Sequence, residues 1–312
     1  MFHKKKTFIL IKLLISISIL AFLLKKTGLD MFSQTFVSID LKLCLLCAML
    51  YIVAQYLSSL RWKVLLVAHN IRVTTLRLFS FYLVGMFFNN FLPGSIGGDA
   101  VKGYDLYRYS KKGKESITTV FLERYTGLAA LLLIGLVSLI FIYSLPEDYL
   151  VKILILGITA TFIAGTIIVI NSHVKNLTIN LVSKLKIEKI KKAIFEIFET
   201  FGKYENHKSS FLNAVLLSII IQVMNIFVYI ILSNALDITV PWSYFFFFFP
   251  IITVISMLPI SINGLGVREG INVYLFAQVG VTHSKALSLS ISWFLMVTAI
   301  SLLGGLVFVF RK

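Results

Sequence analysis

Several residues in this chain place charge or broken backbone inside otherwise apolar sequence, and their types suit the holding of an anion. Glu123-Arg124 lies in Phe-Leu-Glu-Arg-Tyr-Thr-Gly-Leu, where a charge is expensive unless it faces a partner or a cavity. Arg124 offers a forked donor that matches a phosphate, and Glu123 would hold it or a neighbouring cation in place. The same pair could equally brace two helices near the cytoplasmic interface. Arg268 follows Asn263-Gly264-Leu265-Gly266 at a helix start. A cation there opposes the helix dipole and needs an anionic partner, for which Glu269, Glu123, Asp99 or a lipid phosphate are the candidates. Asp99, after Gly97-Gly98, suits the dipole and is a candidate N-cap, a role that would occupy amides an anion could otherwise use. Lys102, Asp105 and Arg108 continue at steps of three along one face and read as interfacial, with Lys102 kept as a candidate lipid contact.

Gln222 and Asn225, one turn apart, suit helix–helix hydrogen bonding or a polar path. Cys44 and Cys47 form C-x-x-C inside an apolar run with no histidine nearby, and read as small packing residues. The five histidines show no metal-ligand spacing. There is no D-x-D, Walker A or G-x-S-x-G motif, so no cofactor or metal is expected and an enzyme is disfavoured.

The elements that position these residues follow from composition. Of 312 residues, 58% are hydrophobic and 14% charged; the mean hydropathy is +0.91. The 30 basic residues against 14 acidic give a net charge of +16. Such a chain reads as a polytopic membrane protein, and the interleaving of its basic residues with apolar runs argues against nucleic-acid binding. Apolar stretches long enough to cross the hydrocarbon layer as helices run 7–24, 41–60, 117–143, 152–170, 211–235 and 287–310. The first follows three lysines but lacks a cleavage site, so it is read as an uncleaved span. Two more stretches, 78–97 and 243–265, are broken near their ends by Leu92-Pro93-Gly94-Ser95-Ile96-Gly97-Gly98 and Leu258-Pro259-Ile260-Ser261-Ile262-Asn263-Gly264. Residues 174–207 carry apolar side chains at steps of three and four among lysines. That pattern predicts amphipathic helices, lying on an anionic membrane surface or docked on the protein's own cytoplasmic face.

Basic residues prefer cytoplasmic loops. If all eight stretches crossed fully, the five basic residues of 98–116 would lie outside. If 78–97 and 243–265 instead enter and return to the same side, 22 basic residues fall inside and three outside. The expected fold is therefore an all-α polytopic membrane protein with six full spans and two Pro/Gly-broken re-entrant segments. Both termini are expected to be cytoplasmic. This topology makes residues 1–145 and 146–312 oppositely oriented copies within a single domain, joined by the linker 171–210, and the two L-P-x-S-I motifs fall at corresponding places. Inverted repeats with broken helices belong to transporters, whose sites lie where the breaks meet. The candidate lipid-binding residues are Pro93, Gly94, Ser95, Gly97, Gly98, Asp99, Lys102, Glu123 and Arg124 in the first half. In the second they are Pro259, Asn263, Gly264, Gly266, Arg268 and Glu269.

These residues resemble the flippase-like family of the lysylphosphatidylglycerol synthase transmembrane region. The matching motifs are Ser-Leu-Arg-Trp-Lys-Val-Leu-Leu at 59–66, Asn89-Asn90 through Asp99 with Lys102, Glu123-Arg124-Tyr-Thr-Gly127, and the segment 258–270. The resemblance implies an inner-membrane protein that moves a lipid headgroup across the bilayer. Multidomain relatives carry a cytosolic transferase that aminoacylates phosphatidylglycerol. Here Lys312 directly follows the last span, so that activity is not expected. The expected substrate is an anionic phospholipid or a polyprenyl-phosphate-linked lipid, and the expected partners are membrane lipids and a glycosyltransferase or lipid-modifying enzyme. The alternatives are a membrane glycosyl-lipid enzyme and a non-transporting scaffold for a glycosyltransferase.

Overall fold

The computed structural model describes residues 40–90, 97–141, 149–170, 179, 188–204, 206–258, 261 and 264–311. The first apolar stretch, Pro93, Gly94, Ser95, Pro259, Asn263 and most of 171–187 lie outside the described residues. Ten described helices follow in order: α1 Leu41–Val67, α2 Thr75–Asn89, α3 Gly97–Ser110, α4 Gly113–Ser138, α5 Tyr149–Ile170, α6 Glu188–Gly202, α7 Lys208–Asn234, α8 Trp242–Met257, α9 Val267–Ala277 and α10 His283–Phe310.

Four of these, α1, α4, α7 and α10, are long and apolar enough to cross a membrane. The 27 residues of α1 extend about 40 Å, more than the roughly 30 Å hydrocarbon layer requires. The helix begins where the Asp40 carboxylate accepts from the Lys42 and Leu43 amides at 2.8 and 3.3 Å. It ends where Asn70 enters the left-handed region at φ 51°. The outer faces of α1 and α10 leave Leu45, Met49, Leu302 and Leu306 exposed, as lipid-facing positions would be.

The two broken stretches are helical hairpins. The 15-residue α2 and 16-residue α8 are both shorter than a full crossing. In the first hairpin Asn89 meets Gly98, and Gly85 meets Lys102 four residues further from the break on either side, which is the pairing of antiparallel helices. A Cβ on Gly98 would stand 2.1 Å from the Gly85 carbonyl oxygen, so only hydrogen at that position lets the backbones approach. In the second hairpin Ser256 meets Gly264, and further out the Phe248 and Phe276 rings lie 5.3 Å apart. Its turn requires φ of +74° at Gly264 and +81° at Gly266, which explains the glycine pair of the Asn-Gly-Leu-Gly motif.

Helix packings come in matched sets. α2 packs on α3 as α8 packs on α9, α3 on α4 as α9 on α10, α1 on α2 as α7 on α8, and α2 against α10 as α8 against α4. Both of the last two crossings have a glycine at the contact: Gly304 of α10 lies close against the Leu83 backbone, and Gly135 of α4 sits in ordinary contact with the Pro250 ring. At the centre, α1 and α7 pack on each other. The largest apolar cluster joins Phe245, Phe247, Phe248, Phe276 and Tyr229 with Cys47 of α1, whose thiol donates to the Val228 carbonyl at 3.4 Å. Cys47 is thus the packing residue expected, and both cysteines are free thiols.

The end of the linker docks on the protein. Phe198, Phe201 and Tyr204 are buried, Tyr204 donates its hydroxyl to the Leu65 carbonyl at 2.6 Å, and Lys114 pairs with Glu199 at 2.5 Å. For this described portion the docked alternative holds. Phe195, one turn earlier, is exposed.

Candidate functional site

Four helices converge on one buried charge network. Glu123 of α4 is 1% exposed. Its Oε1 accepts from Arg61 Nη2 of α1 at 3.0 Å and from the Tyr82 hydroxyl of α2, and its Oε2 accepts from Lys102 Nζ of α3 at 3.0 Å. Arg61 Nη1 also donates to Ser218 of α7 at 3.0 Å. Lys102 Nζ lies 3.2 Å from Asp99 Oδ1 and 4.0 Å from the centre of the Tyr82 ring. Asp99 Oδ2 in turn accepts from Arg124 Nε. Burying unpaired charges would cost several kcal/mol each, on the order of what breaking a buried pair costs, so each charge needs such a partner.

The network lines a cavity of about 280 Å³, bounded by these charged groups with Gln55, Asn89 and Gln222 among the polar residues. Three cations (Arg61, Lys102, Arg124) face two carboxylates (Asp99, Glu123), leaving one net positive charge. Arg61 is 6% exposed, and among the described residues its Nε has no hydrogen-bond partner. Arg61 Nε is therefore a buried donor without a described partner, on a residue that also lines the cavity.

Of the candidates in the first half, Gly98, Asp99, Lys102, Glu123 and Arg124 line this cavity, while Gly97 begins α3 beside it. Of the two roles open to it, Glu123 holds neighbouring cations: adjacent side chains on a helix diverge by about 100°, so Glu123 serves Arg61 and Lys102 while Arg124 turns to Asp99. The Asp99 carboxylate is engaged by Arg124 and Lys102, and the Gly98 amide is capped from α2, by Asn89 Oδ1 at 2.7 Å. Lys102 and Asp105 are both buried, and Asp105 is clasped by Arg311 at 2.5 and 2.9 Å. Gln222 lines the cavity and accepts from Asn225 of the same helix at 3.5 Å. Arg61, Tyr82 and Asn89 were not among the candidates. Arg61 reads as a loop charge in the sequence because the apolar stretch 41–60 ends just before it, whereas α1 continues to Val67.

The second-half residues form a separate cluster. Arg268 Nη2 and Nε donate to Glu269 Oε1 at 2.5 and 3.0 Å, and Ser290 donates to the same oxygen at 3.2 Å. Glu269 Oε2 accepts from the Gly266 amide at 2.6 Å, closing the start of α9. The Arg268 guanidinium lies 5.0 Å from the Phe294 ring. This group has one cation and one carboxylate, and neither borders the cavity. The register that aligns Leu92-Pro93 with Leu258-Pro259 also aligns Lys102 with Arg268.

The family model described as the lysylphosphatidylglycerol synthase TM region matches residues 9–305. The chain belongs to this family. It is similar to the UPF0104 membrane protein of Pyrococcus horikoshii, 24% identical over 311 residues that cover 90% of this chain and 89% of that protein. It is also similar to the UPF0104 membrane protein of Methanothermobacter thermautotrophicus, 25% identical over 258 residues covering 77% and 76% of the two chains. No solved structure matches it. Family and apolar helices together make it a multi-pass membrane protein.

Proposed function

We propose that this protein is a cell-membrane flippase that translocates an anionic lipid, its phosphate held in the cavity between α1, α2, α3 and α4. The observation that carries this reading is the surplus cation: three basic groups against two carboxylates around the cavity. A phosphate monoanion would neutralise that surplus and accept from forked guanidinium donors. The cavity, near the lower end of the roughly 300–1,000 Å³ common for small-ligand sites, suits a headgroup and leaves the tails in lipid. The paired packings and the two hairpins support an inverted-topology repeat, with six full spans, two re-entrant segments and cytoplasmic termini. On this reading the two hairpin tips meet the bilayer midplane from opposite sides. The reaction moves a lipid and changes no covalent bond.

The test is reconstitution of the purified protein into liposomes containing labelled lipids. Movement of phosphatidylglycerol or a polyprenyl phosphate across the bilayer, above that of protein-free liposomes, is expected. Rates equal to protein-free liposomes for every anionic lipid would refute the proposal. Cysteines placed at Lys111 and Ser284 test the topology and should be accessible from opposite sides.

A further inference from the structure

Resting on the anionic-lipid reading, a second cavity identifies where the rest of the lipid goes. A groove of about 700 Å³ runs between α3 and α4, walled by Ala100, Gly103, Tyr104, Ile117, Val120 and Phe121. It is apolar along its length and opens outward: Ile117 is 71% and Tyr104 57% exposed. Its one charged end is formed by Asp99 and Arg124, the same pair that walls the polar cavity. A polar chamber with surplus positive charge and an apolar outward-facing groove are thus separated by a single ion pair.

We infer that the α3–α4 groove seats an acyl chain of an anionic phospholipid whose phosphate occupies the polar cavity, and that the Asp99–Arg124 pair is the gate between headgroup and chain. The occupant follows from the Asp99–Arg124 wall that the two spaces share and from their chemistry: one side wants an anion, the other wants hydrocarbon. The phospholipid, with a small head, matches the smaller cavity better than a glycosylated polyprenyl phosphate would. The gate can open without orphaning a buried charge. When Arg124 turns from Asp99 to the phosphate, Asp99 keeps Lys102 at 3.2 Å, so each carboxylate still has a cation. Glycine at position 103 keeps the floor of the groove free of a side chain.

The test is photo-crosslinking of the full-length protein in liposomes, using phosphatidylglycerol and phosphatidylcholine that carry the same acyl-chain diazirine. The expected result is labelling of Tyr104, Ile117 or Phe121 by the phosphatidylglycerol probe, at least fivefold above the phosphatidylcholine probe. Arg124→Gln should remove that preference. Ile117→Trp, at an exposed position that tolerates bulk, should reduce groove labelling at least fivefold. Leu133→Trp, exposed elsewhere on α4, should leave it unchanged. Equal labelling by both probes would mean ordinary lipid contact and would overturn the inference, as would labelling that bypasses the groove or that only polyprenyl phosphate displaces. Labelling needs no translocation: a protein that labels in the groove but moves no lipid refutes the flippase reading alone, and one that moves lipid without groove labelling refutes the groove alone.

Discussion

The two hairpins place a basic residue at the same register, Lys102 in one and Arg268 in the other, yet they finish it in opposite ways. Arg268 is closed on its own neighbour Glu269, which also caps α9, so the cluster is neutral and satisfied by residues of α9, its cap and α10. Lys102 reaches to Glu123 on another helix, and Glu123 is shared with Arg61 from a third. Sharing one carboxylate between two cations leaves charge over and holds a cavity open between the helices. On the proposed reading, the difference makes the second hairpin a stable support and the first the receptor for the lipid.

The largest expected effect separates the two carboxylates. Glu123→Gln takes the carboxylate partner from Arg61 and leaves Lys102 with Asp99 alone, and should destabilise the protein by about 3–5 kcal/mol, read as loss of thermal stability in detergent. Glu269→Gln strands one cation and weakens one cap, and should cost less. A Glu269→Gln loss equal to or larger than that of Glu123→Gln would break the comparison.

Next come the glycines. Gly98→Ala drives a methyl into the Gly85 carbonyl and should cost about 1–3 kcal/mol by overpacking. Gly264→Ala, at φ +74°, should cost about 1–2 kcal/mol through backbone strain, without disturbing the cavity. Binding of an anionic lipid probe tells them apart: Gly98→Ala weakens it and Gly264→Ala leaves it intact. A smaller effect is expected from Arg311→Ala. It removes a bidentate clasp on Asp105 whose cation is partly exposed, and should lower stability by about 1 kcal/mol.

A separate effect, on pH dependence, is expected at the loop after α1. His69 is buried with neither ring nitrogen hydrogen-bonded among the described residues. Burial, with Lys203, Lys112 and His207 nearby and Glu115 opposing, lowers its pKa from 6.5 to about 4. The unfolded chain then takes up a proton that the folded chain refuses, so stability is full above pH 6.5 and falls as the pH drops toward 4. His69→Phe should flatten that fall. The matching position of the second half is Leu236, since the turn hydrogen bonds and the left-handed Asn70 and Asp237 correspond; it does not titrate, so Leu236→Ala should leave the slope unchanged.

Much of the frame was legible in the sequence because apolar length and Pro/Gly breaks act locally. Long apolar runs became α1, α4, α7 and α10, and both broken stretches became hairpins. Glu269 beside Arg268 was also legible, since the partners are neighbours in the chain. The receptor was only half legible. Asp99, Lys102, Glu123 and Arg124 stood out as charges in apolar surroundings, but which pairs form depends on how α1, α3 and α4 meet. Arg61 was hidden because charge at the end of an apolar run reads equally as loop; Gln55, Ser58 and Ser59 just before it were the available sign of a buried polar stripe. Asn89 capping Gly98 was hidden because the cap crosses from one helix to the next.

The central claim is that the surplus cation of the first half selects an anionic headgroup. It is tested most directly by measuring translocation of labelled phosphatidylglycerol and phosphatidylcholine in the same proteoliposomes, for the unaltered protein, Arg61→Gln and Arg268→Gln. A lost charge-assisted hydrogen bond weakens binding by about 1.5–3 kcal/mol, or about tenfold and more. The account predicts that phosphatidylglycerol moves faster, that Arg61→Gln reduces this preference at least tenfold, and that Arg268→Gln preserves it. No preference in the unaltered protein, or a preference that survives Arg61→Gln and disappears in Arg268→Gln, would contradict it.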